Sequence, residues 1–307
     1  MAVLTRDVIL LLIALFSAIS ANAIELILRN ELPEPVTVFW EGKGEGRVEQ
    51  GVVPEKGGEL SVNTHPGHRF FYDFGGYRHP IVVPSTEESP AERQYAVLIA
   101  GEDGIKVSCT TSARGGRDTG QQLKIKVVPW WSPVGAVRFL ELVRKGYYNG
   151  CALNRVVPGF LTQFGIGANT SLRNEYRQKT IRDDQFHEPR IPFHPGMLAY
   201  AGSGTDSRST EVFIVMPDTP QHQLDYFGTN SWETPFAILE GDIQTTPVPN
   251  WHAYGDMPPH GEGPSPQLIY ADDGYDYLKR NFPELDYIET CTVLEINIQG
   301  DAEASEL

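Results

Sequence analysis

The chain reads as mainly β: an N-terminal β-sandwich followed by a second β domain that carries a few helices. Three features of its 307 residues predict this. Short apolar runs recur between Gly, Pro and acidic turns through the first third, with no helical period. A strand-like alternation at 123–127, where Lys124 and Lys126 separate Leu123, Ile125 and Val127, opens the second part. One amphipathic helix then precedes further short apolar runs. The length admits two domains, and a hydrophobic content of 40% suffices for buried cores. The formal net charge of −15 argues against a nucleic-acid partner, because phosphate binding needs clustered Lys and Arg.

Residues 1–23 read as a secretory signal. Arg6 supplies a weak basic start, 8–19 is an almost unbroken apolar run, and Ala21-Asn22-Ala23 places small residues at the −3 and −1 positions of a cleavage site. The run is shorter than the ~20 residues of a membrane span. The expected address is the secretory pathway (ER lumen or secreted), with an uncleaved anchor in the endomembrane system as the alternative. The final Ala304-Ser305-Glu306-Leu307 is not a standard ER-retrieval sequence, and 299–307 is an acidic tail. Of the three cysteines, Cys109, Cys151 and Cys291, one pair could form in an oxidising compartment. Their spacing neither selects the pair nor matches a metal motif.

The first domain spans 24–111, with strands expected at 25–28, 36–40, 60–62, 68–72 and 96–99 and a polar loop at 85–93. Taken alone, His65-Pro66-Gly67-His68 is a turn entering an aromatic core strand, and two histidines without a third ligand nearby do not make a metal site. Phe39-Trp40 ahead of a Gly-rich turn, Val53-Pro54, and the stretch 63–71 (NTHPGHRFF) resemble the β domain of the von Hippel–Lindau tumour suppressor. That resemblance implies a small hydroxyproline pocket with Thr64, His65, His68 and Phe70 at or near it. Phe70 and His65 stand where that family has tryptophan and tyrosine. The polar, Gly-containing stretch 110–122 lacks an apolar period, and 112–122 is assigned as the interdomain linker.

The second domain spans 123–298. Ser132 can cap a helix with Pro133 at its first position. Val134, Val137, Leu140 and Val143 supply its apolar face, and Gly146 ends it in a left-handed conformation. Tyr147, Tyr148 and an Asn149-Gly150 turn lead to an apolar run at 156–164, headed by Arg155 and interrupted by Gln163. Strands follow at 197–200 and 212–216, a short helix at 274–281 and a closing strand at 291–296. The segments 169–190 and 245–266 read as loops, the latter rich in Pro and Gly. Asn169-Thr170-Ser171 is a glycosylation sequon, usable at Asn169 if the chain is secreted.

FLELV (139–143), GYY (146–148), RVVPGF (155–160), QFG (163–165), the stretch 196–215 and LDYIETCTVLE (285–295) resemble, in order and spacing, the cyclophilins, which are peptidyl-prolyl cis-trans isomerases. The resemblance implies a closed antiparallel eight-stranded β-barrel capped by two helices, acting on proline-containing peptides or unfolded proteins without a cofactor. It matches Arg155 to the catalytic arginine and Gln163 to the glutamine that supports it. Phe160, Leu161 and Phe213 match the proline pocket, Leu224 another wall, and Ala201 and Gly202 the segment that pairs with substrate main chain. Glu211 stands where the family most often has glutamine, Asn154 replaces the common histidine or phenylalanine, and Trp232 does not align with the rim tryptophan. A binding module that captures proline segments without useful turnover is the alternative. No P-loop, GxGxxG or HExxH supports a nucleotide enzyme or a metalloenzyme.

Overall fold

The structure, a computed structural model, describes residues 24–32, 34–42, 46–65, 68–74, 77–83, 94–99, 104–184 and 190–294. The expected signal, the polar loop at 85–93 and the acidic tail lie outside these residues. Among the described residues no helix is long and apolar enough to cross a membrane. The chain divides into two units, 1–101 and 102–307.

The first unit holds seven strands among its described residues: β1 (Ile24–Asn30), β2 (Val36–Glu41), β3 (Arg47–Val53), β4 (Gly58–Thr64), β5 (Arg69–Phe74), β6 (Tyr77–Val82) and β7 (Gln94–Ile99). They form two sheets, ordered β4-β1-β7 and β3-β2-β5-β6. β1 alternates strictly, burying Ile24, Leu26 and Leu28. Both sheets feed one core, with Leu26, Leu28 and Val62 meeting Val38, Phe70 and Ile81. Asn30 is buried beside them and fully used: its Nδ2 donates to the Glu34 and Val53 carbonyls at 2.8 and 3.2 Å, and its Oδ1 accepts from Leu32 N at 2.9 Å. The sequence pattern does not reveal β3 and β6. Both are edge strands of their sheet. An edge needs no apolar alternation and tolerates a proline such as Pro80.

In the second unit β8 (Ile105–Ala113) and β9 (Asp118–Val127) form a hairpin. The stretch assigned as linker, 112–122, is therefore the tip of this hairpin and not a connection. Its outer residues face solvent and so carry no apolar period. Asp286, itself buried, anchors the tip by accepting from Ser112 Oγ at 2.9 Å and from the Gly115 and Gly116 amides at 3.2 and 2.9 Å. The remaining strands are β10 (Cys151–Ala152), β11 (Arg155–Val157), β12 (Leu161–Phe164), β13 (Met197–Tyr200), β14 (Val212–Val215), β15 (Pro235–Leu239) and β16 (Tyr287–Val293). With β8 and β9 they make one antiparallel sheet of nine strands, ordered β10-β16-β8-β9-β15-β13-β14-β12-β11. Its two terminal strands are joined in the chain by Leu153 and Asn154 alone, so the sheet is curled until its edges nearly meet. The expected architecture was eight strands with a closed ladder; the ladder here has nine and runs open from β10 to β11.

The main helices are α1 (Pro133–Arg144), α2 (Thr170–Arg177), α3 (Gln221–Tyr226), α4 (Pro266–Ile269) and α5 (Gly274–Asn281). α1 buries Ala136, Phe139, Leu140 and Val143, with Phe139 packed on Phe236 and Tyr148 at ring distances of 4.9 and 5.4 Å. Val134 and Val137 are only half-buried, so the face is rotated from the one the spacing predicts. The cap also differs. Ser132 makes no cap bond to the helix. Asp184 takes that place, accepting from the Val134 and Gly135 amides at 2.8 and 3.2 Å, and it pairs with the buried Arg208 at 2.8 Å. Gly146 has φ +66° as expected, returning the chain through Tyr147 N to the Leu142 carbonyl.

Cys109 and Cys291 form a disulfide between directly opposed residues of β8 and β16. Cys151 is free and buried, and burial pushes its thiol up to about 12. Asn169 is exposed, and its side chain caps α2 through Leu172 N at 3.1 Å.

Candidate active site

Strand register assembles the site. Arg155 on β11 lies opposite Gln163 on β12, Gln163 opposite Phe213 on β14, and Phe213 opposite Ala199 on β13. Opposed residues share a sheet face, so an arginine, a glutamine and a phenylalanine stand in one row across three strands. Leu161, two residues before Gln163, falls on the same face, as does Glu211 relative to Phe213. Ala201 N donates to the Glu211 carbonyl at 2.9 Å, which carries the pairing to the edge where Ala201 and Gly202 lie.

The row is polar at one end. Gln163 Nε2 donates to Glu211 Oε2 at 2.8 Å, and Arg155 Nη1 donates to Gln163 Oε1 at 3.3 Å. Tyr270 donates its hydroxyl to Glu211 Oε1 at 2.9 Å. Burial raises the Glu211 carboxyl above its ordinary value, and the bonds from Gln163 and Tyr270 only partly offset this. On its other side Arg155 donates from Nε and Nη2 to the Asp256 carboxylate at 2.8 and 3.1 Å. Burial pushes the Asp256 carboxyl up, but the hydrogen bonds and charge of Arg155 outweigh it, and the group lies below its ordinary value. Sequence reasoning missed Asp256 and Tyr270. Nothing in the local pattern marks a single Asp in a Pro/Gly loop as the partner of a residue 101 positions earlier, or a Tyr just past a four-residue helix as the partner of one 59 positions earlier.

The other end is apolar. Leu161, Phe213 and Leu224 belong to one buried cluster, against which Phe160 and Ala201 pack. Phe227, also absent from the sequence expectation, ties it together. Its ring stacks on Phe160 at 5.4 Å and on Phe213 at 5.2 Å. The Phe160 carbonyl accepts from Met216 N at 3.1 Å and Thr219 Oγ1 at 3.2 Å, which holds the turn between β11 and β12. Trp232 also finds its place here. A Cβ on Gly202 would lie 2.6 Å from Trp232 Cδ1, so the indole rests on the Gly202 backbone at the rim. Asn154 is buried.

In the first unit Thr64 is buried and its hydroxyl lies 3.0 Å from His68 Nδ1. The His68 ring sits 5.3 Å from Trp40 and 5.4 Å from the exposed His65. Phe70 points into the core. Among the described residues no three His, Cys, Asp or Glu side chains cluster as metal ligands do.

A family model described as Cyclophilin type peptidyl-prolyl cis-trans isomerase/CLD matches residues 113–234. Those residues run from the β8–β9 hairpin to the start of β15 and include Arg155, Gln163, Glu211 and Phe213. Over these residues the chain is similar to a cyclophilin-type domain. The putative peptidyl-prolyl cis-trans isomerase of Staphylococcus aureus (strain USA300) is 27% identical over 126 residues, 41% of this chain and 64% of the relative. The peptidyl-prolyl cis-trans isomerase-like 2 protein of Gibberella zeae is 28% identical over 139 residues, 44% of this chain and 23% of the relative. The chain thus spans less than two thirds of the length of these relatives. Within the matched segment lie the arginine, the glutamine and the aromatic cluster. Asp256 and Tyr270 come from beyond the matched segment.

Proposed function

We propose that the second unit is a peptidyl-prolyl cis-trans isomerase that assists protein folding in the secretory pathway. The observation that carries this is the row Arg155–Gln163–Phe213, a cation and an amide beside an apolar aromatic cluster. Rotation about a peptide bond is opposed by resonance, with a barrier of ~18–20 kcal/mol. The two isomers of an Xaa-Pro bond differ by only ~0.5–1 kcal/mol, yet they interchange over tens of seconds or longer. A catalyst need make no covalent bond. It has to hold the proline ring while the other side of the bond turns, and stabilise the twisted amide whose nitrogen has regained its lone pair. Phe160, Leu161, Phe213 and Leu224 suit the first task, and the guanidinium of Arg155, always charged and rigid in its donors, suits the second. Ala201 and Gly202 would pair with substrate main chain beneath Trp232. No cofactor enters this chemistry.

The test is a prolyl isomerisation assay on the purified chain beside Arg155→Ala, both checked for folding. Loss of one preorganised donor predicts a fall of roughly 10²-fold. Equal rates for the two proteins would leave Arg155 without its role. The carboxylate pair on Arg155 favours a second reading, a module that binds proline segments with little turnover; tight peptide binding without rate enhancement would select it.

The secretory address rests on the pattern of 1–23 and on the disulfide. N-terminal sequencing of the protein recovered from cells would decide between a cleaved signal and an anchor. For the first unit we read a β-sandwich with a recognition role, because two sheets share one core and His68, beside Thr64, lies in tilted ring contact with Trp40 and His65. A hydroxyproline peptide that binds the chain no better than its proline counterpart would remove that role.

A further inference from the structure

Asp256 enters the site on the long segment between β15 and α4, outside the matched family residues. That segment is docked where it matters. Gly255 bridges Val156, the neighbour of Arg155 on β11. The chain then folds back on Asp256: Gly263 N donates to its carbonyl at 2.9 Å, and a Cβ on Gly261 would collide with the same oxygen. Its carboxylate also accepts from Met257 N at 2.7 Å. The aspartate is therefore a fixed object before it meets the arginine.

Arg155 is gripped on three sides. Asp256 takes Nε and one N–H of Nη2, Gln163 takes one N–H of Nη1, and Phe160 lies with its ring centre 5.4 Å from the guanidinium carbon. Of the five N–H donors of a guanidinium, this leaves one on each terminal nitrogen without a partner among the described residues. The side chain is 16% exposed, so those donors have a route to solvent.

We propose that Asp256 is a positioning residue for Arg155, setting the guanidinium plane so that its two terminal donors are held for the substrate amide. The proposal rests on the isomerase reading. A carboxylate at this place also dilutes the charge of the arginine, and the chemistry decides which effect wins. The isomerising amide has no net charge, so a correctly placed N–H is worth more to it than a bare cation. A free arginine side chain has rotamer freedom to lose, which the bidentate pair removes before substrate arrives.

The experiment measures kcat and KM for the native chain, Asp256→Asn, Arg155→Ala and the double variant, with the Arg155 Nε–H resonance followed by NMR. Asn keeps the shape of the loop residue and removes the charge. The expected result is a roughly tenfold fall in kcat with KM nearly unchanged, no further fall when Arg155→Ala is already present, and faster exchange of the Nε–H with solvent. An active native chain that loses rate with Arg155→Ala but not with Asp256→Asn, or that gains rate, overturns the positioning role alone. So does an Asp256→Asn loss of the same size in the Arg155→Ala background. Native and Arg155→Ala chains both without activity sink the isomerase reading, and the positioning role with it. If Asp256→Asn fails to fold, Asp256→Glu serves in its place: it keeps the charge but displaces it, and normal kcat there also overturns the proposal.

Discussion

Gln163 donates its side-chain amide to Glu211 at 2.8 Å, and this bond gives the polar row its direction. A carboxylate can only accept, so the Gln163 nitrogen must face Glu211 and its oxygen must face Arg155. A glutamine at 211 would impose no such order, because its own amide can point either way.

Glu211 has a pH consequence. Its folded carboxyl lies above the ordinary value, so the unfolded chain releases this proton first as pH rises. Glu211 therefore costs stability progressively from the ordinary carboxylate range, ~4.3, up to its folded value, and by a constant amount beyond it. Glu211→Gln is expected to gain on the native protein in thermal midpoint as pH is raised from 4 to 7. Parallel curves for the two proteins would contradict this.

The Arg208–Asp184 pair predicts a large loss. Arg208 is fully buried, and Asp184 is both its partner and the cap of α1. Asp184→Ala removes the nearer carboxylate from a buried charge, leaving it Asp183 at 3.6 Å, and unpairs two helix amides, a cost of about 3 kcal/mol. Asp184→Asn, which can still accept from the amides, should recover part of it. Denaturant midpoints measure both.

Phe227 is predicted to hold the apolar end of the site. Phe227→Ala removes the ring stacked on Phe160 and Phe213 and should cost about 3 kcal/mol in urea unfolding. A change within 0.5 kcal/mol, the range of ordinary surface substitutions, would mean that the cluster closes over the gap.

The Cys109–Cys291 bond joins residues 182 apart in sequence. Chain-entropy arguments put such a cross-link at about 5 kcal/mol. Reductant, or the Cys109→Ala/Cys291→Ala pair, should lower the unfolding midpoint accordingly, while Cys151→Ala should leave the size of the reductant-induced shift unchanged.

Local chemistry made much of this protein legible in one dimension. The helix from Pro133, its glycine stop at Gly146, the strand at 197–200 and the helix at 274–281 all follow from periodicities and turn residues spanning a few positions. Arg155, Gln163 and Phe213 are singled out by the cyclophilin resemblance and not by local chemistry, and strand register places the three in one row.

What the tertiary structure alone decided is partnership. The exchange of Ser132 for Asp184 at the helix cap, the choice of Cys109 and Cys291 over Cys151, the anchoring of the 114–117 turn by Asp286, and the meeting of Arg155 with Asp256 each join residues 50 or more positions apart. The physical reason is common to all four. Helix and strand preferences are written in the covalent neighbourhood of each residue, whereas a hydrogen bond or ion pair depends on where the curled sheet brings two distant side chains. No property of either residue in the chain records that meeting.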